Sequence, residues 1–519
     1  MNKLVDKLSA VLLAIKFPFF AFAGATGTYY GFAPDYMARA ILPFTLFIIA
    51  TLSFLRVLDL LPRLSIAERT APANLRVRKA SYIAAVFFAA GSALGIAGRC
   101  SANRASLVFA GLEPEKIIAI SGKLLDDPRN TASGRGMALL KLRDSRGKGG
   151  ICASARGNIL VFFPENSIPR LKEFGRGCEI YIEGTFAKTD GSSFFSKTPL
   201  FRAKSVHITR PATRFDQWRT GIRLALIKAF SPDNSKNDWG GLALALLLGI
   251  RDNLDSELSK QYGNAGCSYI LALSGMHLAI VSSIIAFFLK KPLGLKAAAI
   301  VGIFFILLYV FLVGAQPSLT RAAIMYILGA TAIVCALPVN PALLLGYSFM
   351  IQILAQPASG DSISFILSYL ALAGILSLGQ GTARLLRGYV PEFLASPLSA
   401  SIGAFLATAS VCTLFFGLLQ FVGIIAGLIM VPLTTVFMIG SMAYIPVCFV
   451  IPGLAAFIGK ILEIIYSTLE KIVTIAGYFP PLLLPNVSFS VTISIILPIV
   501  LIFVCKIIHK KRMHLEKFT

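Results

Sequence analysis

Long apolar runs separated by short polar stretches set the pattern of this chain. Leu42–Leu55, Ala80–Ala97, Ile270–Leu289, Ala297–Gly314 and Ile493–Cys505 are nearly free of charge, and several approach the roughly 20 residues that cross a bilayer. Apolar helices are predicted at 9–30, 39–56 and 80–98. Others are predicted at 266–289, 297–314, 317–337, 341–356, 361–379, 398–418, 421–450 and 488–508. The 421–450 stretch reads as a pair of helices or a re-entrant segment. The first run follows Lys3 and Lys7 as a signal peptide would, but no clean small-residue cleavage site follows it, so it reads as a retained helix. The run 453–478 carries Lys460, Glu463, Glu470 and Lys471 at helical spacing, which predicts an interfacial or cavity-lining helix rather than a plain span.

Between the two apolar blocks the period changes. Lys116–Leu124, Met137–Arg143, Asn158–Phe163, Glu179–Phe186 and Ala203–Thr209 read as strands, and turn-forming clusters such as Asp126–Asn130 and Thr189–Ser192 separate them. Five short strands in this span predict a small closed barrel of the OB type. Residues 214–230 and 252–262 read as amphipathic helices, the first lying on a membrane surface. The expected fold class is therefore a polytopic α-helical membrane protein with an inserted small all-β, OB-like extracytoplasmic domain. Its parts are three transmembrane helices (1–98), the basic OB-like domain (99–215), interfacial helices (216–262), a second block of membrane helices (263–508) and a basic cytoplasmic tail (509–519).

Composition supports the membrane reading. Charged residues make up 14% and hydrophobic residues 56%, against about 25% charged in soluble globular chains; mean hydropathy is +0.75. Charge then sets the expected topology. Arg56, Arg63, Arg69, Arg76, Arg78 and Lys79 lie between the second and third predicted helices, and such a basic loop belongs in the cytoplasm. The N-terminus is then cytoplasmic and residues 99–215 are extracytoplasmic. The chain has 49 Lys+Arg against 25 Asp+Glu, a net charge of +24. Residues 99–215 hold about 20 basic against about 10 acidic residues, and a basic surface outside the membrane points to an anionic partner.

The candidate chemistry is binding and passage. A surface that receives an anionic partner needs cations grouped along it, and neighbouring aromatic faces add contact area. Arg143, Arg146, Lys148 and Arg156 are the candidate contacts, near Phe162, Phe163, Tyr181, Phe186, Phe194 and Phe195. The plainer reading places those aromatics in a core and leaves the charges solvated. In the second apolar block, Ser274, Gly275 and His277 interrupt a helix, Gln316 and Arg321 open another, and Asp361 and Ser368 share a face of a third. Ionisable groups at membrane depth are functional candidates, although Arg321 could snorkel and His277 could be a packed core residue. No GxxxxGK[ST] loop, no third partner for a Ser-His pair and no metal-ligand spacing occur in the sequence. No catalytic residue, metal or cofactor is therefore expected, and the chain does not read as an enzyme. Cys152 and Cys178 are either a disulfide or two thiols, with Cys100 a competing partner.

The run LALLLGIRDNLDSELSKQYGNAGCSYILALSGMHLAI at 244–280 resembles the signature of the ComEC-type competence proteins. GAQPSLTRAAIM at 314–325, NPALLL at 340–345 and SFILSYLALAGIL at 364–376 resemble further segments of that family, in order. Tyr269, Met276 and Gly427 depart from it, standing where the family usually has His, Leu and, in many members, Asn. The resemblance covers roughly residues 100–450. It implies a channel in the bacterial inner membrane that carries single-stranded DNA into the cytoplasm during natural transformation. A surface DNA receptor and a cytoplasmic motor ATPase would be separate proteins; lipid and a second copy of the chain are further expected partners. Many members carry an HxHxDH motif; His207, His277, His509 and His514 do not form one, so the nuclease is expected to be a separate protein. A small-solute or ion transporter and an assembly scaffold with a partner-binding barrel are the rival readings. The topology is directly testable. A cysteine introduced near Gly147 should be labelled from the extracytoplasmic side, and a cytoplasmic signal there would overturn the expected arrangement.

Overall fold

The computed structural model describes residues 113–483 except 132–133, 149–150, 187–199, 232–237, 357–358, 361 and 387–388, together with 28, 91–93, 95–97, 99 and 108–109. The predicted helices 9–30, 39–56 and 488–508, the basic loop 56–79 and the tail 509–519 lie outside the described residues, as does 80–98 but for a few helical positions.

The N-terminal part of the described chain is a mixed sheet. Its strands are β1 (Val108–Phe109), β2 (Ile117–Leu124), β3 (Arg129–Asn130), β4 (Gly136–Gly147), β5 (Cys152–Arg156) and β6 (Asn158–Phe163). Helix α1 (Ile168–Phe174) follows, then β7 (Glu179–Phe186) and β8 (Leu200–Arg210). Alternation drives the strands: in β6 and β7 every second residue is buried, so Ile159, Val161, Phe163, Ile180 and Ile182 share one core with Leu140 and Phe201. The five long strands pair in a circuit. β4 joins β2, β2 joins β7, β7 joins β8, β8 joins β6 in parallel, and β6 returns to β4. Two irregularities bend it. The register slips beside Gly122 in β2 and beside Gly184 in β7, and a Cβ on either glycine would run into the Lys141 or Arg202 carbonyl of the next strand. A bulge with a bare backbone lets two strands close sharply.

Helix α2 (Arg214–Phe230) leaves the sheet and ties it to the helical part. Arg219 is fully buried. Its Nη1 and Nη2 donate to the two oxygens of Asp127 at 3.0 and 2.7 Å, and its Nε donates to the Phe311 carbonyl at 2.7 Å. One turn on, Arg223 lies 3.4 Å from Asp127 and donates to the Leu312 carbonyl at 3.0 Å. Those carbonyls belong to the last turn of a helix that stops at Val313, where they have no intrahelical donor and carry the negative end of the helix dipole. Arg176 stacks on the Phe311 ring at 4.8 Å and pairs with Asp216 at 3.1 Å. A second tie joins Lys172 of α1 to Asp252 at 2.6 Å, and the Asn130 backbone N–H to the same carboxylate. Burial works against the charged form of Asp127. The hydrogen bonds from Arg219, the Arg223 and Arg219 charges and the Arg176 backbone N–H outweigh it and hold the carboxyl below its ordinary range. Burial likewise pushes Arg223 down to about 10.

The helical part follows. Helices α3 (Asp238–Leu248), α4 (Ser256–Asn264) and α5 (Ser268–Leu271) lead into α6 (Gly275–Val313), α7 (Pro317–Val334), α8 (Pro341–Ala355) and α9 (Ile363–Gly374). After a π turn at Ile375–Gly379 come α10 (Gln380–Leu386), α11 (Glu392–Phe416), α12 (Val422–Val450) and α13 (Pro452–Gly477). Six described helical segments are long and apolar enough to cross a membrane. At 1.5 Å per residue α6 would run about 58 Å if straight, almost twice a bilayer's hydrocarbon depth. It breaks at Gly294 (φ 75°, ψ 170°), and Leu273 and Gln316, beyond its two ends, both pack on Gly249. The element is therefore a hairpin, matching the two helices expected at 266–289 and 297–314. The main core gathers α3 to α7, α12 and α13, and a second gathers α8, α9 and α11.

Expectations for three segments are adjusted. The stretch expected as a pair or a re-entrant segment at 421–450 is one continuous helix, Val422–Val450, of 29 residues, with Pro432 and Pro446 accommodated within it. The 452–477 helix buries Leu462, Tyr466, Leu469 and Val473 in the main core and turns its charged residues to other faces, the amphipathic pattern expected of it, while being long and apolar enough to span. Helix α2 does not simply lie on a surface. It exposes Phe215 and Trp218 but buries Arg219 in the junction. Changing Asp127 to Asn leaves Arg219 buried without its anion, a loss of about 3–5 kcal/mol for a broken buried pair. Because the Asp127 carboxyl sits below its ordinary value of about 3.9, its contribution is complete above that pH and is lost as pH falls through the lower folded value. Thermal unfolding of the purified chain should show an acid-dependent fall in midpoint that the Asn variant, already less stable at neutral pH, lacks.

Candidate functional site

Two places on the molecule have functional chemistry. The first is a groove of about 460 Å³ on the sheet, lined by Lys123, Lys141, Arg143, Arg156, Tyr181, Asp144 and Glu179 among others. Lys123 and Lys141 face one another across β2 and β4, a like-charge placement that is unfavourable without an intervening anion. Gly122 beside them leaves the backbone bare. Arg143 is the extra residue at the β4 bulge; it is exposed and lies 3.4 Å from Glu179 and 3.8 Å from Asp144, so part of its charge is already answered. Of the four expected contacts, Arg143 and Arg156 line the groove. Arg146 engages the Tyr181 hydroxyl from beside it, and exposed Lys148 follows on the turn after β4, where its backbone N–H bonds the Lys116 carbonyl. Lys123 was invisible to sequence reading because only strand pairing sets it against Lys141. Two of the aromatics belong to the core: Phe163 is buried, and Phe186 packs edge-on against the buried Phe201 and against Phe109. Phe194 and Phe195 lie outside the described residues.

Cys152 and Cys178 are not joined. Cys178 is buried just before β7 with its thiol on the Gly175 carbonyl, whereas Cys152 is exposed on β5. The disulfide alternative therefore gives way to two thiols, and burial pushes that of Cys178 up to about 11.

The second place is a polar seam inside the helical part, where α7 meets α8 and α9. Ser318 meets Ser364 at 3.1 Å, Gln352 donates to the Pro317 carbonyl at 2.9 Å, and the Tyr369 hydroxyl donates to Gln352 at 2.8 Å. Arg321 sits among them, buried, donating through Nη1 to the Ser368 carbonyl at 3.0 Å and facing the Tyr369 ring at 5.8 Å. Its Nε has no partner, and among the described residues it forms no ion pair. Asp361, its expected structural partner, lies outside the described residues. Gln316 caps no N–H of α7. On the neighbouring α6, Ser274 is the N-cap: its Oγ accepts from Met276 N at 3.3 Å, and His277 Nδ1 accepts from Ser274 N at 3.2 Å. One nitrogen of His277 is thus occupied by the cap, and the other, Nε2, is buried without a partner. Gly275 brings the start of α6 against Arg321, whose Nη2 would lie 3.0 Å from a Cβ there. Ser274, Gly275, Arg321 and Ser368 therefore belong to one neighbourhood.

The competence protein family matches residues 246–511, more than half of the 519 residues. The chain belongs to that family. A stretch of 138 residues is also 30% identical to the ComE operon protein 3 of Bacillus subtilis (strain 168), covering 25% of this chain and 18% of that relative; the match therefore spans less than a fifth of the relative's length. No solved structure matches. The whole polar seam lies within the family match, and the groove lies outside it.

Two positions where this competence protein departs from the family pattern touch one another. A Cβ at Gly427 would collide with the Tyr269 hydroxyl, so the larger residue at 269 fills the room left by the missing side chain at 427. Changing Gly427 to Ala should cost about 1–3 kcal/mol by overpacking. Tyr269→Phe should recover most of that loss in the double variant while changing little alone, a non-additivity measurable as a double-mutant cycle on the thermal midpoint.

Proposed function

We propose that this chain is the inner-membrane channel that passes single-stranded DNA into the cytoplasm during natural transformation. Its sheet domain, read as an OB-like barrel on the extracytoplasmic side, receives the strand. The carrying observation is that a bundle matching the competence family is fastened to a domain with a basic groove floored by Tyr181. The pairing circuit with β6 parallel to β8, and the helix placed between β6 and β7, support the barrel reading. In the groove, Lys123, Lys141 and Arg156 meet phosphates while Tyr181 offers a stacking face, a combination that binds single strands without reading sequence. Arg143, Arg146 and Lys148 extend the basic surface. In the seam, Ser274, Gly275, His277, Gln316, Arg321 and Ser368 make the polar path. The proposal takes the surface receptor, the motor ATPase that draws the strand and the nuclease that removes its complement as separate proteins.

The test is a salt titration of the purified full chain with oligothymidylate. Each phosphate contact adds about −0.7 to the log–log slope for single strands. Changing Lys123, Lys141 and Arg156 together to Gln should reduce the slope's magnitude by about 2 on that basis. Affinity indifferent to salt, or a slope unmoved by the triple change, would favour a scaffold that binds another protein. Accumulation of a small solute by liposomes holding the chain, with no DNA binding, would favour a transporter.

A further inference from the structure

We propose that Arg321 and the N-terminal end of α6 form a site for one phosphate-like oxyanion inside the helical bundle. Arg321 is only 7% exposed, yet of its nitrogens Nη1 alone donates to the protein, to the Ser368 carbonyl. The remaining edge is Nε with Nη2. Nε is buried and unpartnered, and Nη2 points to the bare Gly275. That edge is the side of a guanidinium that grips two oxygens of a tetrahedral anion in parallel.

What it faces strengthens the case. Gly275 is the first residue of α6, and a helix start carries partial positive charge, although the Ser274 side chain already takes the Met276 N–H. A buried cation and a helix N-terminus set against one another repel unless an anion lies between them. Among the described residues no carboxylate pairs with Arg321, and the Tyr369 ring is its one aromatic contact. The glycine supplies the room: any side chain at 275 would begin 3.0 Å from Nη2. Pointing a helix N-terminus at an anion is also how membrane bundles hold anionic substrates.

A free phosphate and a phosphodiester of a passing strand share this chemistry. The second source rests on the channel reading; the site itself does not. The experiment uses the purified full chain carrying Lys123→Gln and Lys141→Gln, so that the groove contributes little. Inorganic phosphate is titrated against chloride at equal ionic strength, and the thermal midpoint is followed. The expected result is a saturable rise in midpoint. Arg321→Gln should weaken the apparent phosphate affinity at least about tenfold, the scale of one lost charged hydrogen bond, and Arg321→Lys should keep part of it. Gly275→Ala, which retains the cation but fills the space at Nη2, should weaken it as well, and decides the matter if the Gln variant fails to accumulate. No response in the parent, or an equal response in these variants, would overturn the site. Competition by a short oligothymidylate then separates the sources. If it displaces phosphate, the strand is the ligand; if phosphate binds and the oligonucleotide does not compete, the site stands while the channel reading loses this residue.

Discussion

One carboxylate fixes the relation between the two halves of this protein. Asp127 leaves a loop of the sheet and is grasped by Arg219 through both oxygens and by Arg223 one helical turn away. The same two arginines spend their other donors on the last carbonyls of α6. The arrangement is a chain of dependence. Without Asp127 the arginines have no reason to be buried, and without the arginines the end of α6 is an unsatisfied row of acceptors. The sheet therefore stands on the end of one particular helix rather than on the bundle at large. The loop from α3 to α4, held to α1 through Asp252 and Lys172, prevents rotation about that single post.

The molecule thus contains buried arginines in two opposite states. At the junction the cations outnumber the anion, but every one of the described contacts has an acceptor, and the cluster is a fastening. In the seam Arg321 has one carbonyl, one aromatic face and an idle edge. Burying such a group costs too much to be structural decoration. The difference between the two settings is therefore written in the hydrogen-bond inventory and not in the residue type or the burial.

How much of this was legible beforehand follows from the range of the interactions involved. Helices α6 to α9 and the strands β2, β4, β6, β7 and β8 could be read because their apolar periods are local. Arg321 could be suspected because a charge in an apolar run stands out. The α3 helix escaped notice, since an 11-residue apolar segment has no face to reveal. The junction was missed because Asp127 sits in a turn cluster and reads as solvent-facing, while Arg219 and Arg223 read as the polar face of an interfacial helix. Their partners are about 90 residues away, and no local pattern carries that distance. Lys123 was missed for the same reason: its significance lies in the residue across the ladder. The match between Tyr269 and Gly427 is a third case, two unusual residues that explain one another only once they are seen in contact.

The buried α3 has a consequence for how the protein is made. Ten of its eleven residues are buried, and at 1.5 Å per residue it is about 16 Å long, roughly half the depth of a hydrocarbon layer. Such a segment cannot hold itself in lipid during synthesis, since its ends would leave peptide groups without water or partners. Nor is it soluble. It rests against Phe230 of α2, which precedes it, and against helices translated after it, among them α6, α12 and α13. The cover of α3 is therefore complete only once α6, α12 and α13 are in place.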